Sequence, residues 1–323
     1  MILKGINMLY VDKEAVARYL TMELSLKLSE IAFKLQSERK VEQPLRNIVK
    51  GEDGSLMGTM PIYIKEGPYQ GFGLKSVVVR FQSNGSKPSH VGSVLVYDEP
   101  GVSGIAVVDA GAITEIRTAA ASAYATHLLA AKDASRLAIL GTGLQARAHL
   151  QAMLYVRPIK EVTLWGRSEE RCREFAIWCD KTLNLAISIK SSPAEAVLNS
   201  DIICTTTASR NPIISRKELP AKCHVNAIGA SALGFQELNE DMYSNTALFT
   251  DSNESVLAAS QSVIKAREKG ILSESAIGIE IGTVSQFHAN LSEQGVTIFQ
   301  SVGLAVQDMV FSREVIRQLI KMS

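Results

Sequence analysis

The sequence predicts an α/β protein in which a doubly wound parallel sheet fills the later part of the chain and an α+β domain precedes it. Three observations carry that reading. Leu137-Ala-Ile-Leu-Gly-Thr-Gly-Leu-Gln-Ala146 is an apolar run that passes through Gly-x-Gly-x-x-Ala straight into helical spacing. From there strand-like and helix-like segments alternate, with strands expected at 137–140, 161–165, 186–189, 201–206, 224–228 and 247–250. Such alternation implies parallel strands joined by crossover helices. From Arg46 to Val108, by contrast, short strand-like runs are separated by Gly, Pro, Asn and Ser, the punctuation of an antiparallel sheet.

Taken in chain order, a short first strand ends at Asp12, a helix cap, and Leu24, Leu28, Ile31, Ala32 and Leu35 then repeat at helical spacing. Met22, Leu24, Leu26 and Leu28 also alternate as a strand would, but the longer helical period decides. Leu56-Met-Gly-Thr-Met60, Lys75-Ser-Val-Val-Val79, Ser93-Val-Leu-Val-Tyr97 and Gly104-Ile-Ala-Val-Val108 supply the strands of the first sheet. Thr114 to Ala131 is an alanine-rich helix whose small side chains permit close packing and suit a connection between domains. The segment Thr297 to Asp308 and the helix after it fall outside the alternation and are expected to pack back on the first domain. The expected division is 1–120 with 300–323 as one domain and 121–299 as the other.

At 323 residues the chain is long enough for two domains, and 46% hydrophobic with 21% charged residues fits a globular protein. A net charge of +1, without a lysine-rich run or a basic patch interleaved with aromatics, excludes a nucleic-acid partner as the working reading. The N-terminal stretch is too short and interrupted for a signal peptide, and no apolar run reaches membrane-spanning length. The expectation is a cytoplasmic protein with no membrane partner. Cys172, Cys179, Cys204 and Cys223 form no Cys-x-x-Cys pair and read as reduced packing residues. His90, His127, His149, His224 and His288 are scattered, so no metal site is expected.

The glycine motif has a physical reading. Gly141 permits the tight turn, Gly143 lets the backbone approach a pyrophosphate, and Ala146 lets the new helix pack close to its strand; Thr142, Leu144 and Gln145 complete the turn. The phosphates would rest on the helix N-terminus. The motif and the alternation together predict a Rossmann-type dinucleotide-binding domain. About twenty residues on, where an acid would accept hydrogen bonds from the ribose 2′-OH of NAD, the chain has Gly166-Arg167-Ser168 with Arg171 one turn later. Those donors suit a 2′-phosphate, which favours NADP(H) over NAD(H). The plainer reading of Arg167 is a solvated residue opening the next helix.

Ligands of doubly wound sheets lie at the carboxyl ends of the strands, so the loops that follow are the places to search. Thr205-Thr-Thr-Ala-Ser209, with Thr207, and Asn226-Ala-Ile-Gly-Ala-Ser231, with Ile228, are small enough to pass close to a nicotinamide ribose. The first domain holds three cations in apolar or small-residue settings: Arg46, Lys75 and Arg117. Such residues are usually exposed or paired. Lys75 opens a valine run, and a buried ammonium needs an anionic partner, which a carboxylate substrate would supply.

Across almost its whole length the sequence resembles the ornithine cyclodeaminase/mu-crystallin family. The resemblance rests on Gln43-Pro-Leu-Arg46, Met60-Pro61, Gly73-Leu-Lys75, Asp109 through Arg117-Thr-Ala-Ala-Ala-Ser122, Gly141 to Ala146, Asn226-Ala-Ile-Gly-Ala230 and Ser301-Val-Gly-Leu-Ala-Val-Gln-Asp308, in that order and spacing. Glu237-Leu238 and Thr250-Asp251-Ser252 follow as in relatives. The resemblance implies a homodimer whose first domain binds substrate and pairs with its twin. It also implies that Arg46, Lys75 and Arg117 hold the substrate carboxylate. His90 matches a position near the nicotinamide, as a donor or a packing residue, and Ser301 falls among the cofactor-binding positions.

One departure selects within the family. Relatives that cyclise ornithine carry an Asp where this chain has Ser231, and a serine hydroxyl is no general base at neutral pH. The resemblance therefore implies NAD(P)H-dependent reduction of a small cyclic imino acid, Δ1-pyrroline-2-carboxylate or Δ1-piperideine-2-carboxylate. Lys75, or a water held by Ser231, would keep the imine proton in place. A cyclodeaminase, an alanine dehydrogenase-like enzyme and an NADPH-retaining carrier are the alternatives.

Overall fold

The computed structural model describes residues 8–80, 90–273, 277–284 and 295–322. The chain forms two compact units: Met1–Arg117 with Leu304–Ser323, and Thr118–Gly303. The sequence opens with β1 (Met8–Val11), α1 (Lys13–Tyr19), α2 (Met22–Ser37), β2 (Val41–Glu42), β3 (Asn47–Lys50), β4 (Leu56–Ile64), β5 (Gly71–Val79), β6 (His90–Val96) and β7 (Ile105–Asp109). Asp12 caps α1 by accepting from the Ala15 amide, as its position suggested. Helix α3 (Ala110–Leu129) carries the chain from the first unit into the second. It starts before Thr114 because Asp109 Oδ1 accepts from the Ala112 amide, a cap that the alanine run conceals.

The second unit continues with β8 (Arg136–Leu140), α4 (Leu144–Val156), β9 (Glu161–Trp165), α5 (Glu169–Leu183), β10 (Ser188–Ile189), α6 (Pro193–Val197), β11 (Ile202–Thr205), β12 (Cys223–Ala227), β13 (Thr246–Thr250), α7 (Asn253–Ala259), α8 (Gln261–Glu268), β14 (Ile279–Glu280) and β15 (Val296–Gln300). Its strands run in the order β10-β9-β8-β11-β12-β15-β13-β14, all parallel. The chain then returns to the first unit as α9 (Ala305–Lys321). The expectation that the whole of 297–308 packs on the first domain is thus corrected. Residues 297–300 belong to a central, fully buried strand between β12 and β13, and only α9 lies on the first unit.

In the first unit the sheet order is β1-β7-β6-β5-β4-β2, with β3 also on β4. All pairs are antiparallel except β1 with β7. One face, carrying Met60, Ile62, Ile64, Val94, Val96, Ala106 and Val108, is buried. Helix α9 lies on it, with α1 and α2 against α9. The approach over β5 is too close for side chains: a Cβ on Gly73 would collide with Met309, and one on Gly71 (φ +131) with Arg313. Arg313 is fully buried, pairs with Glu99 and donates to the Tyr97 carbonyl at 2.7 Å. The opposite face of the same sheet remains apolar and open, with Phe72 56% and Val91 47% exposed beside Tyr10 and Met57.

In the second unit the buried Arg157 guanidinium donates to the carbonyls of Thr126, His127, Ala130 and Ala131, closing the C-terminus of α3, and to that of Val156 at the end of α4. All four cysteines are free and buried. Burial pushes the Cys204 and Cys223 thiols up to about 12, so they stay protonated packing groups.

Candidate active site

The glycine turn after β8 is built as the motif requires. Gly141 takes φ +130, and a Cβ there would lie 2.6 Å from Thr206 Oγ1. Its amide donates to the Trp165 carbonyl at 2.8 Å, tying the turn to β9. Gly143 is the N-cap of α4 and offers no side chain to the amides of the first turn. A Cβ at Gly143 would meet nothing within 4 Å, so packing does not explain the glycine. Uncapped amides facing open space form a cradle for an anion, and the residues present fit a dinucleotide pyrophosphate. Ala146 is fully buried, while Thr142 and Gln145 are half-buried and Leu144 is exposed.

At the end of β9, Arg167 and Arg171 are exposed and have no ion-pair partner among the described residues. Ser168 caps α5 by accepting from the Arg171 amide at 3.3 Å, which leaves its hydroxyl proton available. Glu169 pairs with Arg173 at 2.6 Å, directed away from Arg167 in sequence along the helix. An anion such as a 2′-phosphate finds donors here and no acid between β9 and Ser168.

The two loops at the carboxyl ends of β11 and β12 are held by one group that sequence reasoning gave no role. Glu237, fully buried, accepts from Thr205 Oγ1 at 2.8 Å and from the amide and hydroxyl of Thr207. It also accepts from the Gly229 amide at 2.8 Å and the Ala230 amide at 3.2 Å. Gly229 approaches Thr207 so closely that a Cβ would strike its backbone. Ile228 is buried, and Ser231 is half-buried at the end of the second loop. Ser301 sits at the end of β15, where its hydroxyl proton goes to Asp251 Oδ2 at 2.8 Å. Asp251 also accepts from the amides of Ser252, Val302 and Gly303. The Ser301 side chain is therefore engaged within the protein, a use its sequence position did not reveal.

In the first unit, Lys75 from β5 and Arg117 from α3 meet on Asp308 of α9. Lys75 is 4% and Arg117 7% exposed. Asp308 Oδ1 accepts from Lys75 Nζ at 2.7 Å and from Arg117 Nε at 3.1 Å. Thr114 donates its proton to the Ala110 carbonyl at 2.6 Å, so its lone pair takes a second Lys75 proton, also at 2.6 Å. The expected need of Lys75 for an anionic partner is thus met by the protein itself, and not by a substrate alone. Donors remain unspent among the described residues: the third Lys75 proton and the N–H groups of the terminal Nη1 and Nη2 of Arg117. Burial holds the Lys75 ammonium down at about 8; Asp308 opposes this, and the Arg117 and Arg46 charges reinforce it. Arg46, half-buried, belongs to the same electrostatic neighbourhood. His90 opens β6, and its side chain lies outside the described residues.

The model of the ornithine cyclodeaminase/mu-crystallin family matches residues 7–322. The chain belongs to this family. Among family members, mouse ketimine reductase mu-crystallin is 33% identical over 288 residues, spanning 84% of this chain and 88% of the relative. The solved structure of Thermococcus litoralis Δ1-pyrroline-2-carboxylate reductase in complex with NADH and L-proline superposes with a TM-score of 0.91 at 27% identity, covering 98% of both chains. An archaeal alanine dehydrogenase dimer with bound NAD superposes with a TM-score of 0.87 at 27% identity, covering 98% of this chain and 97% of that one.

Proposed function

We propose that the protein reduces a small cyclic ketimine carboxylate, Δ1-pyrroline-2-carboxylate or Δ1-piperideine-2-carboxylate, to L-proline or L-pipecolate at the expense of NADPH. The observation that carries the reading is the set of unspent donors on Lys75 and Arg117, fixed in a buried setting by the protein's own groups. A guanidinium whose end-on fork is free matches a carboxylate bidentately, and the ammonium adds a compact charge beside it. Arg46 contributes a third cation. The names of the mouse and Thermococcus relatives support the substrate class. Ser231 argues against amine-releasing chemistry, because that position provides no base.

Reduced nicotinamide, when bound, supplies the hydride that adds to the imine carbon as the C=N π pair moves to nitrogen. The chain's residues do the rest by positioning. Arg46, Lys75 and Arg117 anchor the carboxylate and thereby fix the adjacent imine carbon. Lys75 Nζ, poised to hold or release a proton near neutral pH, is suited to keep the imine nitrogen protonated. Gly143 and the first turn of α4 would take the pyrophosphate, and Arg167 with Ser168 the 2′-phosphate. Thr207 and Ile228, on loops braced by Glu237, would line the nicotinamide end.

The test is NADPH consumption with each cyclic imine, run beside L-ornithine with catalytic NAD and an ammonia assay. Oxidation of NADPH by an imine with ornithine inert is expected. Ammonia from ornithine without net change in the cofactor would replace this reading with a cyclodeaminase. For the cofactor, Arg167→Asp should raise KM for NADPH about 10–100-fold more than KM for NADH, the loss of one charge-assisted contact plus a new repulsion. Equal effects on both cofactors would remove Arg167 from 2′-phosphate recognition.

The protein acts, in this reading, as a homodimer. The open face of the first unit's sheet, with Tyr10, Met57, Phe72 and Val91, is an apolar surface of the kind that a second copy covers. The archaeal alanine dehydrogenase relative is a dimer. Sedimentation should return twice the monomer mass, and Phe72→Glu with Val91→Glu should return the monomer.

A further inference from the structure

Three cations, on β5, on α3 and on the connection between β2 and β3, belong to one electrostatic neighbourhood in the first unit, and one feature touches the segment of each: the first turn of α9. Asp308 in that turn engages Lys75 of β5 and Arg117 of α3. The Val306 amide in the same turn donates to Gln43 Oε1 at 3.0 Å, and Gln43 leads through Pro44 and Leu45 to Arg46. Gln43 is itself held by donating to Gln36 of α2 at 2.6 Å. Resting on the reading of Arg46, Lys75 and Arg117 as the carboxylate clamp, we infer that Asp308 is its positioning residue, aligning Lys75 and Arg117 for substrate and serving as their built-in counter-ion.

The geometry of the contacts supports this. Asp308 takes Arg117 through Nε, the inner edge of the guanidinium, so that Nη1 and Nη2 stay paired and free at the outer end. Had the carboxylate gripped the terminal nitrogens, the fork would be spent. On Lys75 it fixes one proton while Thr114 fixes a second, which leaves the third with a single direction. Both contacts use Oδ1, while Oδ2 is buried without a hydrogen-bond partner among the described residues. A carboxylate kept with one oxygen unsatisfied is costly. Its charge is what the site retains, since it is the only carboxylate in ion-pairing distance of Lys75 and Arg117 among the described residues.

The groups facing Lys75 are Asp308 from α9, Arg117 and the Thr114 hydroxyl from α3, and Arg46. Burial and the two arginines push its proton off, and Asp308 alone among the charges holds it on. Without Asp308 the Lys75 proton is held less tightly, so the clamp loses charge near neutral pH while keeping its shape.

The full-length chain with [ε-13C]lysine tests this by NMR, with Lys75 assigned from a Lys75→Arg variant. The wild-type Lys75 midpoint is expected at about 8 and the Asp308→Asn midpoint at least about one pH unit lower. An unchanged midpoint overturns the counter-ion role. This readout needs no turnover, so it stands or falls separately from the choice of cyclic imine as substrate. Should Asp308→Asn fail to fold, Asp308→Glu keeps the charge but displaces it by a methylene. Its Lys75 midpoint should stay near the wild-type value while KM for the cyclic imine rises about tenfold and kcat changes little. A wild-type KM in Asp308→Glu overturns the alignment role.

Discussion

Lys75→Ala is expected to lower kcat/KM for a cyclic ketimine carboxylate by about 10²- to 10³-fold, roughly 3–4 kcal/mol of transition-state stabilisation. The magnitude follows from the setting. A charge-assisted hydrogen bond contributes about 1.5–3 kcal/mol, and its loss at a buried lysine is felt more fully than at a surface. The pH dependence gives an independent signature. In the proposed clamp the ammonium form binds the carboxylate, so activity is expected to be retained below the Lys75 midpoint and to decline as pH rises through about 8. Lys75→Ala should lack that basic limb. Wild-type kcat/KM in the variant would remove Lys75 from the clamp.

The largest effect on stability is expected at Arg313. Its guanidinium is wholly buried between α9 and the sheet, paired with an equally buried Glu99 and hydrogen-bonded to the Tyr97 carbonyl. Arg313→Met strands much of the Glu99 charge in the interior, and breaking a buried pair from one side costs about 3–5 kcal/mol. Against a typical stability of about 5–15 kcal/mol that is a substantial fraction. Arg317 also pairs with Glu99, at 2.7 Å, but its side chain is partly exposed, so Arg317→Met should cost about 1 kcal/mol. Urea unfolding of the two variants is the measurement. Equal costs would mean that the two arginines support Glu99 equally and that the deeper burial of Arg313 adds nothing.

The parts of the molecule legible in the sequence are those written locally. The glycine turn, the cap at Asp12 and the parallel strands of the second unit follow from spacing and from the conformational needs of single residues. Strand order is another matter. Nothing in Val296–Gln300 tells that it inserts between β12 and β13, because neighbours in a doubly wound sheet are fixed by packing of the crossovers. The cations of the candidate site stood out because charge among small and apolar residues is unusual. Their partner did not: Asp308 lies 233 residues beyond Lys75, and an acid near a helix start reads equally well as a dipole-stabilising surface residue. Glu237 and Asp251 entered only as matches to the family pattern, and their roles escaped for the same reason. Each is a buried acceptor for backbone amides brought in by folding, and no local pattern separates such a residue from a solvated one.

The position of α9 in the chain has a consequence for biosynthesis. It emerges from the ribosome after every other described element, yet it roofs the sheet built from the first ones. While the second unit is being translated, the first has its strands, Lys75 and Arg117 but neither Asp308 nor Arg313. It must wait with an apolar face uncovered and two cations and Glu99 lacking their partners, the kind of species that chaperones hold and proteases remove. Translation that stops short of α9 therefore leaves the sheet face of the first unit uncovered and the partners of Asp308 and Arg313 unpaired, so the interior of that unit is completed only by the last described element.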